Sequence, residues 1–298
     1  MLVNLKEMLL RAEAGHYGVG CFNTPNLETI QAVIAAAEEE NLPVILAHAQ
    51  SMDPPAVLEE IAPAMLDSAR RASVPVCVHL DHGKDRDYVE RAMELGFSSV
   101  MFDVSEKSFE ENADQIQKLC RIAHARQITV EAELGILTAA SAGPDGDAAL
   151  PPGTASSPYT DPLQAAEFAR LTDVDALTVC FGTAHGQYTA PPRLDIERVR
   201  RIRQCLKARC RIVMHGASGV DDDQIRAAIK AGVSKINYYS GISRGCSQYI
   251  YSQLKSCGGN MHWHTVHRQA MQFMKRHVQE KIRLFAGRET LSYIDSPL

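Results

Sequence analysis

Short apolar runs alternate with longer segments of helical periodicity along the chain, and this alternation is the feature that most restricts its fold. Runs rich in β-branched residues predict strands over residues 18–23, 43–49, 74–80, 98–104, 128–134, 175–181, 211–216 and 234–239. The segments between them repeat apolar residues three and four positions apart, as helices do. Nearly continuous apolar strands suit a parallel sheet covered on both faces. We therefore predict a (β/α)8 TIM barrel, with an open doubly wound sheet as the alternative.

The length of the chain fits one barrel with an additional helix. At 298 residues the chain is within the range of single α/β barrels, and we expect one domain over residues 1–298. The segment HWHTVHRQAMQFMKRHVQEKIRLF predicts a long extra C-terminal helix. Residues 138–162 are rich in Gly, Pro, Ala and Ser, which predicts a long mobile loop after the fifth strand.

Charge and cysteine usage restrict the class of protein. The net charge is −5 and the pI is about 6.1, so no general field attracts nucleic acid or an anionic membrane. No apolar run approaches the roughly 18 residues that a membrane-spanning helix needs. The first segment carries both charge signs, unlike a secretory signal. The eight cysteines form no CxxC pair and several lie in apolar runs, which predicts reduced thiols and a cytoplasmic protein.

Polar side chains accumulate at the carboxyl ends of the predicted strands, whereas the opposite ends are poor in them. In barrel enzymes the active site lies at this carboxyl end, on the loops that follow the strands. The one-sided distribution therefore predicts a polar site at one mouth of the barrel. Its members are Asn23, His48, Asp81, His82, Asp103, Ser105, Glu131, Glu133, His185, His215, Ser218, Asn237 and Ser240.

Three of these histidines, His82, His185 and His215, each stand next to a glycine at or just after a strand end. Three imidazoles and an open fourth position form a common catalytic zinc arrangement. A lone histidine at a strand end is more often a hydrogen-bonded core residue. A zinc site is therefore predicted only if the barrel brings strands three, six and seven around one mouth.

The carboxylates of the same region allow two interpretations each. Asp81 lies two positions after His79, so both are expected on the strand face that points into the barrel. Asp81 is either a general acid/base or a residue that orients a histidine. Glu131 and Glu133 share one strand face. They either support a metal ligand from behind, as Asp103 also can, or form an ion pair across the barrel strands.

Glycine-rich turns follow the sixth and seventh strands as GTAHG and HGASG. The backbone N–H groups of such turns bind phosphate, and Ser218, Asn237 and Ser240 add side-chain donors. Tight strand-to-helix turns also use glycine for backbone reasons alone. Their place after the last strands, where barrel phosphate sites are frequent, favours the phosphate interpretation.

The motifs HLDHG, EAELG, GTAHG and HGASG, in this order and followed by a strand ending in Asn237, resemble those of the class II ketose-bisphosphate aldolases. These enzymes are the zinc-dependent fructose- and tagatose-bisphosphate aldolases. The resemblance extends over most of the chain and takes in CFNTPNLETIQA, MFDVSEKSFEEN and HGQYTAPPRLD.

The resemblance implies a lyase that cleaves a phosphorylated ketose to dihydroxyacetone phosphate and an aldehyde, or forms it. It implies that zinc is held by His82, His185 and His215, and that Asp81 exchanges the proton of the C4 hydroxyl. A monovalent cation, Na+ or K+, is often bound near the phosphate in this family. Independently of the resemblance, the long C-terminal helix favours a homo-dimer or homo-tetramer. The residues expected around the substrate are Asn23, Gly186, Gly216, Ser218, Asn237 and Ser240.

Departures from the family pattern leave the substrate open. The loop after EAELG lacks the usual acidic residue, and Asp145 and Asp147 are the candidates for its role. Ala190 replaces a lysine that the family carries after HGxY. Tyr238 and Tyr239 stand where the family has small or acidic residues. The remaining departure is AHAQ in strand two, from which His48 and Gln50 are expected to reach the site.

Fructose-1,6- and tagatose-1,6-bisphosphate are the expected substrates, and a deoxy-sugar acid or a monophosphate is the alternative. Two rival functions differ more. A Schiff-base aldolase needs a lysine inside the barrel, and Lys235 is the one lysine in a predicted strand. A barrel that binds metal or sugar phosphate without catalysis is the other rival.

Overall fold

A computed structural model describes residues 1–54, 56–135, 158–184, 186, 188 and 190–288. In it eight parallel strands pair in sequence order, and the first also pairs with the last, so the sheet closes into a barrel. The TIM-barrel prediction is thus confirmed, and the open doubly wound sheet is excluded. The strands are β1 (Val19–Asn23), β2 (Val44–Ala49), β3 (Val76–Gly83), β4 (Ser99–Phe102), β5 (Thr129–Leu134), β6 (Ala176–Val179), β7 (Arg211–Met214) and β8 (Val233–Asn237).

Helices alternate with the strands and cover the outside of the barrel. Several begin at Asn, Asp or Ser side chains that accept backbone N–H groups, as the capping rule predicts, with full capping boxes at Asn26 and Ser108. The helices are α1 (Leu5–Ala14), α2 (Leu27–Glu40), α3 (Leu58–Arg71), α4 (Arg86–Leu95), α5 (Phe109–Ala125), α6 (Pro162–Thr172), α7 (Ile196–Leu206), α8 (Asp222–Ala231), α9 (Ser240–Ser256) and α10 (Trp263–Phe285).

The two sides of the sheet carry different cores. Leu46, Val78 and Leu80 face the helices in the large outer core, while Ile45, Ala47 and Cys77 face the barrel interior. Helix α1 packs with these interior residues and closes the amino-terminal end of the barrel. The carboxyl-terminal end is therefore the open one.

The C-terminal region contributes two helices, α9 and α10, and α10 confirms the predicted extra helix. Helix α10 packs against α2, α8, α9 and β1. Its ring contacts include Tyr238 against Phe285, with centroids 6.4 Å apart. In the part of the chain that the structure describes, no helix is both long and apolar enough to cross a membrane.

Candidate active site at the carboxyl ends of the strands

Asp81 lies at the centre of the open end, held by amides from two other strands. The Asn23 side chain donates to Asp81 Oδ2 at 3.0 Å, and the Asn237 side chain donates to Asp81 Oδ1 at 3.0 Å. The whole residue is 4% exposed. His79 contacts Ser99 at 2.9 Å and lies 3.6 Å from Glu131, so its ring is held by those residues and not by Asp81.

His82 reaches the same site although it follows Asp81 directly. Neighbouring side chains of a regular strand point to opposite faces. Here β3 advances from Leu80 to Gly83 while β4 advances from Val100 to Phe102, so β3 carries one extra residue. This bulge, together with a φ of 46° at His82, turns the imidazole back toward the mouth of the barrel. Bulges of this kind re-aim side chains next to active sites.

The rings of His82 and His215 meet edge-on, with planes 74° apart and His82 Nε2 2.9 Å from His215 Nδ1. The opposite nitrogen of each ring meets a carboxylate: His82 Nδ1 lies 2.8 Å from Asp103 and His215 Nε2 lies 3.1 Å from Glu131. Those carboxylates accept an N–H from each outer nitrogen, and a cation that replaced the proton between the two inner nitrogens would be held by both rings. This arrangement suits a shared cation, with the carboxylates supporting the ligands from behind.

Asp81, His82 and His215 can place one ligand atom each within 4.8 Å of one another. The nearest Asp81 oxygen is 4.0 Å from His82 Nε2. The carboxylate therefore lies beside the facing imidazole nitrogens while its hydrogen bonds go to Asn23 and Asn237. The donor set of two imidazoles, with a third expected, fits a divalent ion such as zinc.

Opposite charges in the site stabilise each other's ionised forms. Burial by itself raises the pKa of Asp81, but the charges of His82, His215 and Lys235 outweigh it and hold this pKa well below the usual range. Burial lowers the pKa of His82, but Asp81 and a hydrogen bond to Asp103 outweigh it and raise the pKa to about 9. Without a metal the pocket thus holds an ionised Asp81 beside a positively charged His82 at neutral pH.

A fully buried ion pair lies beneath the histidines. Lys235 Nζ is 2.8 Å from Glu131 Oε2, and both side chains have no exposed surface. Burial disfavours charge on Lys235, but the surrounding anionic groups, including Glu131, raise its pKa. Glu131 thus combines both predicted interpretations, because it pairs with Lys235 and also contacts His215. A charged, paired lysine is a poor Schiff-base nucleophile, which argues against that rival.

Asp103 and Glu133 occupy a second layer beside His82. Asp103 Oδ2 also accepts from Lys84 at 2.7 Å, and Ser105 donates to Asp103 Oδ1 at 2.7 Å. Burial, reinforced by the nearby Asp103, raises the pKa of Glu133 to about 8. Glu133 is therefore mainly uncharged at neutral pH, unlike Glu131.

The predicted substrate-binding residues line one pocket with Asp81 and His82. The backbone at Gly216 has φ 68°, and a Cβ there would lie 2.3 Å from the carbonyl oxygen of Ala184, so only glycine fits this turn. The Tyr188 hydroxyl accepts from Ala184 N and donates to Gly216 O, each at 2.8 Å, which joins the loops after β6 and β7. The pocket contains Asn23, Gly186, Gly216, Ser218, Asn237 and Ser240, together with Tyr238 and Tyr239.

Some predicted residues lie elsewhere. His48 is in the outward-facing row of β2, and its ring contacts the Tyr88 hydroxyl at 2.9 Å, so the expectation that it reaches the site is wrong. Gln50 instead accepts from the backbone of Lys84 at 2.6 Å. His185 lies outside the described residues. The loop candidates Asp145 and Asp147, and most of the predicted mobile segment 138–162, lie outside them too.

Three residues that contribute to the site were not predicted from the sequence. Thr178 in β6 lies 2.9 Å from Glu131 and 3.2 Å from His215, and Lys84 neutralises Asp103. Tyr188 joins two loops. A polar residue inside an apolar strand could have drawn attention to Thr178. The aromatic position of HGxY could have done the same for Tyr188.

The closed barrel and the polar cluster at its carboxyl end define a TIM-barrel enzyme. The family model described as fructose-bisphosphate aldolase class-II matches residues 3–290. The chain belongs to this family of zinc-dependent aldehyde-lyases, as the sequence motifs predicted.

Solved structures agree with this assignment. The YdjI aldolase of Escherichia coli K12 is 32% identical and has a TM-score of 0.83, with 96% of this chain and 97% of that chain covered. A candidate fructose-1,6-bisphosphate aldolase of Coccidioides immitis is 27% identical, with TM-score 0.80 and coverage of 95% and 96%. Fructose-bisphosphate aldolase of Campylobacter jejuni, at 20% identity and TM-score 0.76 with 95% of each chain covered, shows the fold alone.

Proposed function

We propose that this class II aldolase cleaves, and in reverse forms, a phosphorylated ketose to give dihydroxyacetone phosphate and an aldehyde. Fructose-1,6- and tagatose-1,6-bisphosphate are the first candidates, since the family model and the Coccidioides relative carry the fructose bisphosphate name. The observation that carries the proposal is the placement of an ionised Asp81 4.0 Å from His82, beside the adjoining His82 and His215 nitrogens.

We assign zinc to His82 and His215, with His185 as the third ligand expected from the motif. A zinc ion there would act as a Lewis acid for the electrons released when the carbon–carbon bond breaks. Asp103 and Glu131 would keep the two imidazoles in the tautomers that present their inner nitrogens. A Na+ or K+ ion near the phosphate is an expectation from the resemblance.

Asp81 is the proposed base. Its low pKa keeps it ionised, and its position in the pocket lets it take the proton of the C4 hydroxyl as the C3–C4 bond breaks. Asn23 and Asn237 hold its two oxygens in place during this transfer. In the direction of synthesis Asp81 returns the proton to the new hydroxyl.

A second candidate is an aldolase for a different sugar phosphate, such as a monophosphate or a deoxy-sugar acid. Tyr238 and Tyr239 favour it, because both line the pocket where the family has small or acidic residues. Two bulky phenols change the space and hydrogen bonding available to the substrate. The chemistry at Asp81 is the same for either substrate.

The decisive experiment is a screen of zinc-loaded protein against mono- and bisphosphorylated ketoses, with release of dihydroxyacetone phosphate as the readout. Asp81→Asn should keep zinc but lose turnover by about 10²–10⁴, as expected for a lost acid/base. Asp87→Asn, an exposed aspartate on α4, is the matched control and should match wild type. Binding of sugar phosphates without any cleavage would instead favour the non-catalytic barrel.

Cytoplasmic location and assembly as a homo-dimer or homo-tetramer complete the proposal. All eight cysteines are free thiols, which is typical of a reducing compartment. Light scattering of the purified protein measures the number of subunits directly.

A further inference from the structure

A second cleft opens directly beside the catalytic pocket. The two share Gly186, Ser218 and Ser240, so a ligand can extend from one into the other. The cleft continues along Gly219 and Gly241 and reaches the first turns of α9. Its floor of glycines and serine hydroxyls is polar and leaves room for a compact ligand group.

Arg244 contributes the basic side chain among the described residues of this cleft. It follows Ser240 by four residues on α9, which places the two side chains on one face of the helix. Within the described ranges, no carboxylate forms an ion pair with Arg244. By contrast, Lys84 and Lys281 pair with Asp103 at 2.7 Å and Asp222 at 3.0 Å. The guanidinium donors of Arg244 are thus available to an anionic ligand.

Ser218 can donate a hydrogen bond to the same ligand. Its Oγ accepts the backbone N–H of Gly241 at 3.2 Å, so its own O–H remains able to donate. Ala190, which lines the cleft as well, brings no charge. A phosphate placed here would be neutralised chiefly by Arg244.

We propose that Arg244 binds the phosphate of the ketone half of the substrate, with Ser218 and Ser240 as neutral donors. This inference rests on the proposed aldolase function. A guanidinium presents paired N–H groups that match phosphate oxygens, and such charge-assisted bonds are stronger than neutral ones. The phosphate then lies in the cleft while the reacting carbons lie in the adjoining pocket beside Asp81.

Arg244 contacts a part of the substrate that does not react, so it should support binding more than the chemical step. Interactions that are equally strong in the ground state and the transition state change KM and leave kcat nearly unaltered. Arg244→Met should therefore raise KM for the active ketose about ten- to hundredfold, the range expected for a lost charged hydrogen bond. Arg244→Lys should give an intermediate KM.

Titration calorimetry with dihydroxyacetone phosphate and with inorganic phosphate tests the binding without turnover. Both probes should bind Arg244→Met about ten- to hundredfold more weakly than the zinc-loaded wild type. Lys255→Met is the matched control, because Lys255 is an exposed cation in the last turn of the same helix. It should bind both probes as wild type does.

The outcomes separate this inference from the proposed function. Binding of both probes to Arg244→Met within twofold of wild type would overturn the role of Arg244, as would an equal loss in Lys255→Met. Wild type that binds both probes through Arg244 but cleaves no ketose would overturn the aldolase function and leave the phosphate site standing. Wild type that binds neither probe would overturn the phosphate site.

Discussion

Replacement of Lys235 by Met tests the buried charges beneath the proposed metal site. The change removes the positive partner of Glu131, 2.8 Å away, and leaves a carboxylate with no exposed surface. Breaking a fully buried pair in this way costs about 3–5 kcal/mol, since the remaining charge is desolvated and uncompensated. At roughly 2–4 °C per kcal/mol, the melting temperature of the metal-free protein should fall by about 6–20 °C.

The matched control uses the same substitution at an exposed ion pair. Lys118 lies 2.6 Å from Asp114, but its side chain is 63% exposed, so Lys118→Met should cost less than about 1 kcal/mol. The double variant Lys235→Met/Glu131→Gln removes both buried charges and should recover most of the lost stability. Calorimetry and urea unfolding measure all three. Equal losses in Lys235→Met and Lys118→Met, or no recovery in the double variant, would refute the reasoning.

Three further predictions concern the ligands, the pH dependence and the phosphate turn. His215→Ala should weaken zinc binding in a chelator competition by more than about 100-fold, whereas His48→Ala, which alters an outward-facing ring, should leave zinc affinity unchanged. The raised pKa of Glu133 means that its folded form holds a proton that the unfolded chain releases above pH 4.5. The contribution of Glu133 to the stability of metal-free protein should therefore fall as pH rises from about 4.5 to about 8, and urea unfolding of Glu133→Gln should lack this contribution when its pH dependence is compared with that of wild type. Gly216→Ala should lower the melting temperature and weaken phosphate binding, because its Cβ would press on the Ala184 carbonyl; unchanged calorimetry of this variant would contradict the packing argument.

The polar network around His215 explains why a buried lysine is compatible with metal chemistry in this barrel. Lys235 compensates the charge of Glu131 on one oxygen, while the other oxygen lies 3.1 Å from His215. His79, whose pKa burial and Lys235 lower to about 3, remains neutral beside this pair. The charge of Lys235 is thus neutralised by Glu131 below the imidazoles, which reduces its repulsion of the cation that they are proposed to hold.

The amino-acid sequence by itself determined the barrel and the end of the barrel where the site lies. Both depend on local patterns: apolar strands alternate with amphipathic helices, and polar residues follow the strands rather than precede them. The family motifs placed Asp81, His82 and His215 at the carboxyl ends of their strands, each by its own local pattern. These features are readable because each is set by residues within one strand and its loop.

Only the tertiary structure decided which side chains meet. Regular strand alternation would place His82 on the opposite face of β3 from Asp81. The bulge that turns the His82 side chain toward Asp81 arises from the pairing of β3 with β4. The same alternation puts His48 on the outer face, although its chemistry suggested the site. The Lys235–Glu131 pair joins β8 to β5 across the barrel interior, a contact that no local pattern contains. Such contacts depend on the register of strand pairing and on the closure of the barrel, which all eight strands determine together.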